Sequence, residues 1–205
     1  MSYEKVIVIS IRPEHALNIL NGNKTLELRK SIPKDYVGWV YVYVTKGGGR
    51  LSVVHDDENG ETYYYLNSNW GRSLNQDIPF RFWFDEYIKL EWLDPSLNIK
   101  RNDVNYYNYY ALFENIYNNV EWILPNLCLT KQQVIDYGKE RDLYAWHIKK
   151  LEVFDKPMFL SELYGDFAFS DTDEYGRQHT PFHIPIPLKR PPQSWQYAYI
   201  LGAKQ

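Results

Sequence analysis

The chain has 205 residues, a net charge of −3, one cysteine, and an aromatic load of 19 Tyr, 9 Phe and 7 Trp. That length buries a sizeable core and suits one domain with embellishments. A lone cysteine, Cys128, excludes an internal disulfide and a multi-cysteine zinc site and reads as a small buried hydrophobe. No apolar run approaches the roughly 20 residues of a membrane helix, and Met1 to Lys5 lack the basic start and apolar stretch of a signal peptide, so a cytoplasmic protein with no membrane partner is expected.

Charge is unevenly spread. Residues 1–50 carry eight Lys/Arg against four Asp/Glu, a local +4, whereas residues 51–145 carry eight against fifteen, a local −7. An overall acidic balance speaks against a general nucleic-acid binder, which needs a basic face, but the first quarter of the chain supplies one locally. The Tyr and Trp content suits stacking platforms for bases and equally suits the filling of a strand-rich core.

In chain order, Lys5 to Ile11 is apolar and β-branched, the pattern of a strand covered on both faces. Pro13 then opens a short helix, with Glu14 in its first turn, a stripe of Ala16, Leu17, Ile19 and Leu20, and Gly22 as terminator. Thr25 to Lys30 alternates with the strand period, sending Leu26 and Leu28 to one side and Thr25, Glu27 and Arg29 to the other. Trp39 to Thr45 is a further strand, stopped by Gly47-Gly48-Gly49. Those glycines lack the Lys-Ser/Thr of a phosphate loop and read as a turn.

Leu51 to Val54 and Glu61 to Leu66 flank an acidic turn ending in Asn59-Gly60, which predicts a hairpin. Phe80 to Trp92 reads as a long strand, bent at Asp85-Glu86. The Asn- and Tyr-rich stretch Asn102 to Asn119 shows no decisive period. Thr130 and Gln133 have capping-box spacing at the head of a helix ending near Gly138. Tyr144 to Phe154 returns to strand, Phe167 to Pro192 reads as a proline-rich loop, and Trp195 to Leu201 is a closing strand. His179 and His183 are four apart, but Pro181 between them argues against a helical zinc pair, and no metal or other cofactor is expected. His147, between Trp146 and Ile148 in a strand, reads as a structural histidine or one facing a cleft.

The densest polar signal is Gly22-Asn23-Lys24-Thr25-Leu26-Glu27-Leu28-Arg29. A helix ends, and the next strand projects Glu27 and Arg29 on one face with Lys24 in the turn. Lysine offers a mobile cation, arginine a planar fork for phosphate or a base edge, and glutamate an acceptor for an exocyclic amine. The plainer reading is a solvated strand edge on which Glu27 and Arg29 pair with each other.

These residues resemble a known family. Ile9-Ser10-Ile11-Arg12-Pro13-Glu14-His15-Ala16 followed by Gly22-x-Lys24-x-x-Glu27-x-Arg29 is similar to the start of ASCH domains, whose hallmark is G-x-K-x-x-E-x-R. The resemblance continues in Leu143 to Ile148, in Asp155-Lys156-Pro157 with Leu160 to Leu163, and in Pro191 to Tyr197, and these blocks are similar to phage- and prophage-type bacterial members. It implies an α+β, PUA-like fold: a mixed β-barrel flanked by short helices, a single domain over residues 1–205 with an aromatic-rich insertion at about 50–127. It also implies a cleft for RNA, single-stranded nucleic acid or a nucleotide, with Lys24, Thr25, Glu27 and Arg29 as floor and Ser10, Arg12, Tyr144, Trp146, Gln193, Ser194 and Trp195 as wall. Trp146 or Trp195 would stack on a base.

Two other classes stay open. One is a hydrolase of RNA or of a modified nucleoside, with Lys24 and Glu27 as candidate acid/base groups. In the ASCH-related amidohydrolases of acetylated cytidine, however, a threonine stands where this chain has Glu27. The other is a phage-type protein-interaction module acting through the acidic, Tyr-rich middle of the chain.

Overall fold

The computed structural model describes residues 2–92, 106–108, 123–172 and 178–202. Fourteen strands are present among them: β1 (Tyr3–Ile11), β2 (Leu26–Arg29), β3 (Gly38–Val44), β4 (Leu51–Asp56), β5 (Glu61–Leu66), β6 (Arg72–Ser73), β7 (Ile78–Phe84), β8 (Tyr87–Glu91), β9 (Tyr106–Asn108), β10 (Leu143–His147), β11 (Lys150–Met158), β12 (Tyr164–Thr172), β13 (Gln178–Pro187) and β14 (Trp195–Leu201). Three short helices, α1 (Pro13–Leu20), α2 (Ile123–Leu127) and α3 (Lys131–Gly138), and a 3-10 turn at Leu160–Glu162 complete them. None of these helices is long and apolar enough to cross a membrane.

The strands form three open sheets ordered β11-β7-β3-β1-β14-β12-β13, β2-β10-β8-β9 and β5-β4-β6. The expected barrel is therefore corrected to a strand-rich α+β fold in which no sheet closes among the described residues. The apolar run of β1 finds its explanation here. The strand is central, parallel to β3 from Ile7↔Val40 to Ile11↔Val44 and antiparallel to β14 from Tyr3↔Leu201 to Ile9↔Trp195. With a neighbour on each edge, its residues from Val6 to Ile11 are all buried.

The chain divides into two compact units, one of residues 1–13, 39–81 and 152–205, the other of residues 14–38 and 82–151. The stretch 50–127, expected as an insertion, contributes to both. In the first unit Val6, Val8, Tyr41, Tyr43, Ile78 and Ala198 form a core. In the second, Leu26 and Leu28 of β2 pack with Leu90, Ile123, Leu127, Val134, Leu143 and Ala145.

Two sequence expectations needed revision. Tyr144 to Phe154 is not one strand, because Ile148 and Lys149 break it into β10 and β11. The supposed proline-rich loop is a long antiparallel hairpin of β12 and β13, paired from Tyr164↔Pro187 to Thr172↔Gln178. Strand β13 is the last in its sheet, and an edge strand tolerates residues with no N–H to donate. Pro185 and Pro187 have the same parity, so alternation aims their missing donors to one side of the strand, and Pro181 lies at the register shift between Ser170 and Thr172, where the ladder is already interrupted. His179 and His183 lie on this strand, with side chains outside the described residues, as is most of Asn102 to Asn119. The break at Asp85-Glu86 between β7 and β8, and the β4–β5 hairpin, match expectation.

Candidate functional site

The second unit assembles the Lys24–Arg29 segment from below. Helix α1 ends with Gly22 in the left-handed region (φ 72°), its N–H bonded to Ile19 O at 3.0 Å. That turn feeds Lys24 and Thr25 into β2. Helix α2 then receives them: Thr25 N–H donates to Asn126 O at 3.0 Å, the Thr25 hydroxyl donates to Asn126 Oδ1, and Lys24 Nζ donates to Leu127 O at 2.7 Å. The carbonyls at the C-terminal end of a helix attract a cation, which suits the ammonium there.

Strand β2 runs antiparallel to β10, with Glu27 opposite Trp146 and Arg29 opposite Tyr144. Opposed residues share a face, so Glu27, Arg29, Tyr144 and Trp146 line one side of the sheet while Leu26, Leu28 and Ala145 face the core cluster. The alternation read from the sequence is the one observed.

The three ionisable side chains are almost dry: Lys24, Glu27 and Arg29 are 2%, 5% and 8% exposed. Arg29 Nη2 lies 2.9 Å from Glu27 Oε1, and Lys24 Nζ lies 3.4 Å from Oε2, which accepts no hydrogen bond. The pairing imagined for a solvated strand edge is thus present, but buried. Burial alone would push the Glu27 carboxyl up; the charges of Lys24, Arg29 and His15 outweigh it and hold the group below its ordinary value. One carboxylate between two cations leaves the cluster with a local charge of +1.

Two neighbours gained no role from the sequence. Tyr137, in the last turn of α3, has its hydroxyl within hydrogen-bond reach of Arg29; burial raises its pKa first and foremost, with Arg29 opposing. Lys30 Nζ stands 5.0 Å above the Tyr137 ring. The signal was available, since Val134 and Tyr137 are three apart on a helix whose start was legible. His15 is the other, and it adds to the positive surroundings of Glu27.

Trp146 shares the face of Glu27 but is 0% exposed. It packs on Phe84 at 5.0 Å and donates Nε1–H to Ser31 O at 3.2 Å, so in this structure its ring is a core element. Tyr144 is half-buried, edge-on to Tyr87 at 5.7 Å. The remaining expected wall residues, Ser10, Arg12, Gln193, Ser194 and Trp195, belong to the first unit. There Ser10 N–H donates to Ser194 O at 2.9 Å and its hydroxyl to Pro192 O at 2.6 Å, Arg12 and Gln193 are exposed, and Trp195 meets Tyr197 edge-on at 5.7 Å.

Elsewhere in the second unit His147 Nδ1 lies 3.1 Å from Asp85 Oδ1 and 3.5 Å from Glu86 Oε1, while Lys149 Nζ lies 2.6 Å from Asp85 Oδ2. His147 is therefore partnered, and Lys149 offsets the charge of Asp85, one of the two carboxylates. Cys128 departs from expectation. It is half-buried, adopts φ 51° directly after α2, and reaches Asn23 O with its Sγ at 3.3 Å.

The geometry defines a strand-rich α+β protein with a buried Lys–Glu–Arg cluster at a helix-to-strand junction. No protein-family model matches the chain, and no curated protein sequence matches it. Among solved structures it is similar to the crystal structure of ASCH from Zymomonas mobilis, at 16% identity over 94% of this chain and 86% of that one, with a TM-score of 0.44. It is also similar to a serine-to-alanine variant of that protein, at 14% identity over 94% and 87% with a TM-score of 0.45, and to a tyrosine-to-phenylalanine variant, at 16% identity over 95% and 90% with a TM-score of 0.44.

Proposed function

We propose that this chain is an ASCH-type binding protein that takes a nucleotide or a short single strand of nucleic acid at the Lys24–Glu27–Arg29 cluster. The observation that carries the reading is Glu27 Oε2, a buried carboxylate oxygen that accepts no hydrogen bond while two cations flank the group. A buried acceptor of this kind is costly unless something satisfies it, and an exocyclic amine of a base is a fitting donor. The surplus cation suits a phosphate. The ligand displaces Lys24 from Oε2, and the ammonium keeps its bond to Leu127 O.

A binder fits Glu27 better than a hydrolase does. A carboxyl held below its ordinary pKa is a poor proton donor and a weak base near neutrality, where acid/base catalysis wants a group that titrates near the working pH.

The test is a titration of nucleotides, single-stranded DNA and RNA at two salt concentrations. Binding should weaken with salt by a slope of roughly −0.7 for each phosphate contact on a single strand. Arg29→Lys, which keeps the charge and loses the fork, should weaken it about tenfold. Absence of any binding at low salt removes the reading.

A further inference from the structure

The β5-β4-β6 sheet ends at β5, whose outer edge has no neighbouring strand among the described residues. Natural edge strands are usually blunted by lysine, proline or a bulge. Strand β5, Glu-Thr-Tyr-Tyr-Tyr-Leu, has none of these: it pairs with β4 through six consecutive positions, Leu51↔Leu66 to Asp56↔Glu61, without a register shift. Among the described residues its outer backbone edge is left without a strand partner, an open template.

The side chains around that edge have one consistent chemistry. Tyr63 and Tyr65 are exposed and lie on one face, rings 6.5 Å apart and 29° from parallel. The Tyr63 hydroxyl donates to Glu61 Oε2. Trp70, 79% exposed, sits in the loop after β5, where the Arg50 guanidinium gathers the carbonyls of Ser68, Trp70 and Gly71. Asp56, Asp57, Glu58 and Glu61 surround the hairpin tip, and residues 51–71 contain no lysine or arginine.

Aromatic faces beside uncompensated carboxylates suit cationic side chains. Phosphates would meet repulsion there, and the same strand of a second copy of this chain would bring no lysine or arginine to these carboxylates. We propose that β5 takes up an extended, Arg- or Lys-bearing segment of another polypeptide as a fourth strand. The backbone pairs along the edge, and alternate basic side chains cross Tyr63 and Tyr65 toward Glu61 and the turn. This surface lies within the first unit and does not rest on the Lys24 cluster.

The test is selection of the full chain against a display library of randomised linear peptides, followed by fluorescence anisotropy with an enriched peptide. Enrichment of Arg or Lys at alternating positions between β-branched residues is expected. Tyr63→Ser with Tyr65→Ser should weaken the enriched peptide about tenfold with an unchanged far-ultraviolet dichroism spectrum, as should Asp57→Lys with Glu61→Lys. The same peptide N-methylated at alternate residues should lose binding. Selection without a basic pattern, undiminished binding of the N-methylated peptide, or an affinity in either double variant equal to that of the parent chain overturns the proposal. So does a single-stranded oligonucleotide, or self-association in sedimentation, that depends on Tyr63 and Tyr65.

Discussion

Arg29 Nη2 stands 2.9 Å from Glu27 Oε1, two residues back along the same strand, and both side chains are buried. Residues two apart in a strand share a face, so the backbone itself brings the pair together. Glu27→Gln keeps the shape and removes the charge that both Arg29 and Lys24 face. Breaking a buried pair from the side of its shared partner leaves cations uncompensated, and a loss of about 3–5 kcal/mol is expected in urea unfolding near neutral pH. Lys24→Met should cost less, because Glu27 keeps Arg29. An equal cost for the two substitutions would mean that the Lys24 pair at 3.4 Å is as important as the Arg29 pair.

The same carboxyl gives a pH dependence of defined sign. Its folded pKa lies below the ordinary value of 4.5, because the Lys24, Arg29 and His15 charges overcome the upward push of burial. The unfolded chain therefore takes up the proton first as pH falls. The stability contributed by ionised Glu27 is complete above about pH 4.5 and is lost as pH falls toward and through the folded value. Unfolding measured across that acidic range should show the gap between the parent chain and Glu27→Gln narrowing. A constant gap would show that the charge of Glu27 does not matter to the fold.

Helix α3 begins at a reciprocal cap: Gln133 N–H donates to Thr130 Oγ1 at 3.3 Å, and Thr130 N–H donates to Gln133 Oε1 at 2.8 Å. Thr130→Ala removes the first of these and should cost about 1 kcal/mol, read from the urea midpoint. Thr130→Asp keeps an acceptor and adds a charge suited to a helix N-terminus, and should restore most of the loss. Tyr137 in the last turn touches the Arg29 surroundings, so the alanine variant should also bind the Lys24-site ligand more weakly than the aspartate variant.

What the sequence made legible is what depends on local period. The β-branched run of β1, the capped α3, and the split of β2 into a leucine face and a Glu27–Arg29 face follow from neighbours in sequence. Long-range context carried the rest. Pro181, Pro185 and Pro187 read as a loop because the edge position that tolerates them is set by strands far away in the chain. Trp146, expected from the resemblance as a cleft wall that stacks on a base, stands opposite Glu27, but strand register says which way a side chain points and not what covers it, and Phe84 and the Ser31 carbonyl are the partners observed. Burial of the Lys24–Glu27–Arg29 cluster was illegible for the same reason: Leu127, which takes the lysine, lies 103 residues away.

The first unit holds a second cation whose identity matters more than its charge. Arg81 donates to Tyr41 Oη at 2.7 Å and to both oxygens of Glu152 at 2.9 and 3.0 Å, with its guanidinium 4.0 Å from the centre of the Trp39 ring. A flat fork can stack on indole while its edge grips a carboxylate, and an ammonium cannot do both. Arg81→Lys should therefore lose at least one charge-assisted bond and the stacking contact, for about 1–3 kcal/mol in urea unfolding. Pairing it with Glu152→Gln separates the contributions in a double-mutant cycle. If Glu152 is the main partner, the second substitution adds little once Arg81 is lysine. If the cost of Arg81→Lys persists undiminished in the Glu152→Gln background, Trp39 and Tyr41 hold the guanidinium, and Glu152, the more exposed member of the pair, is a bystander.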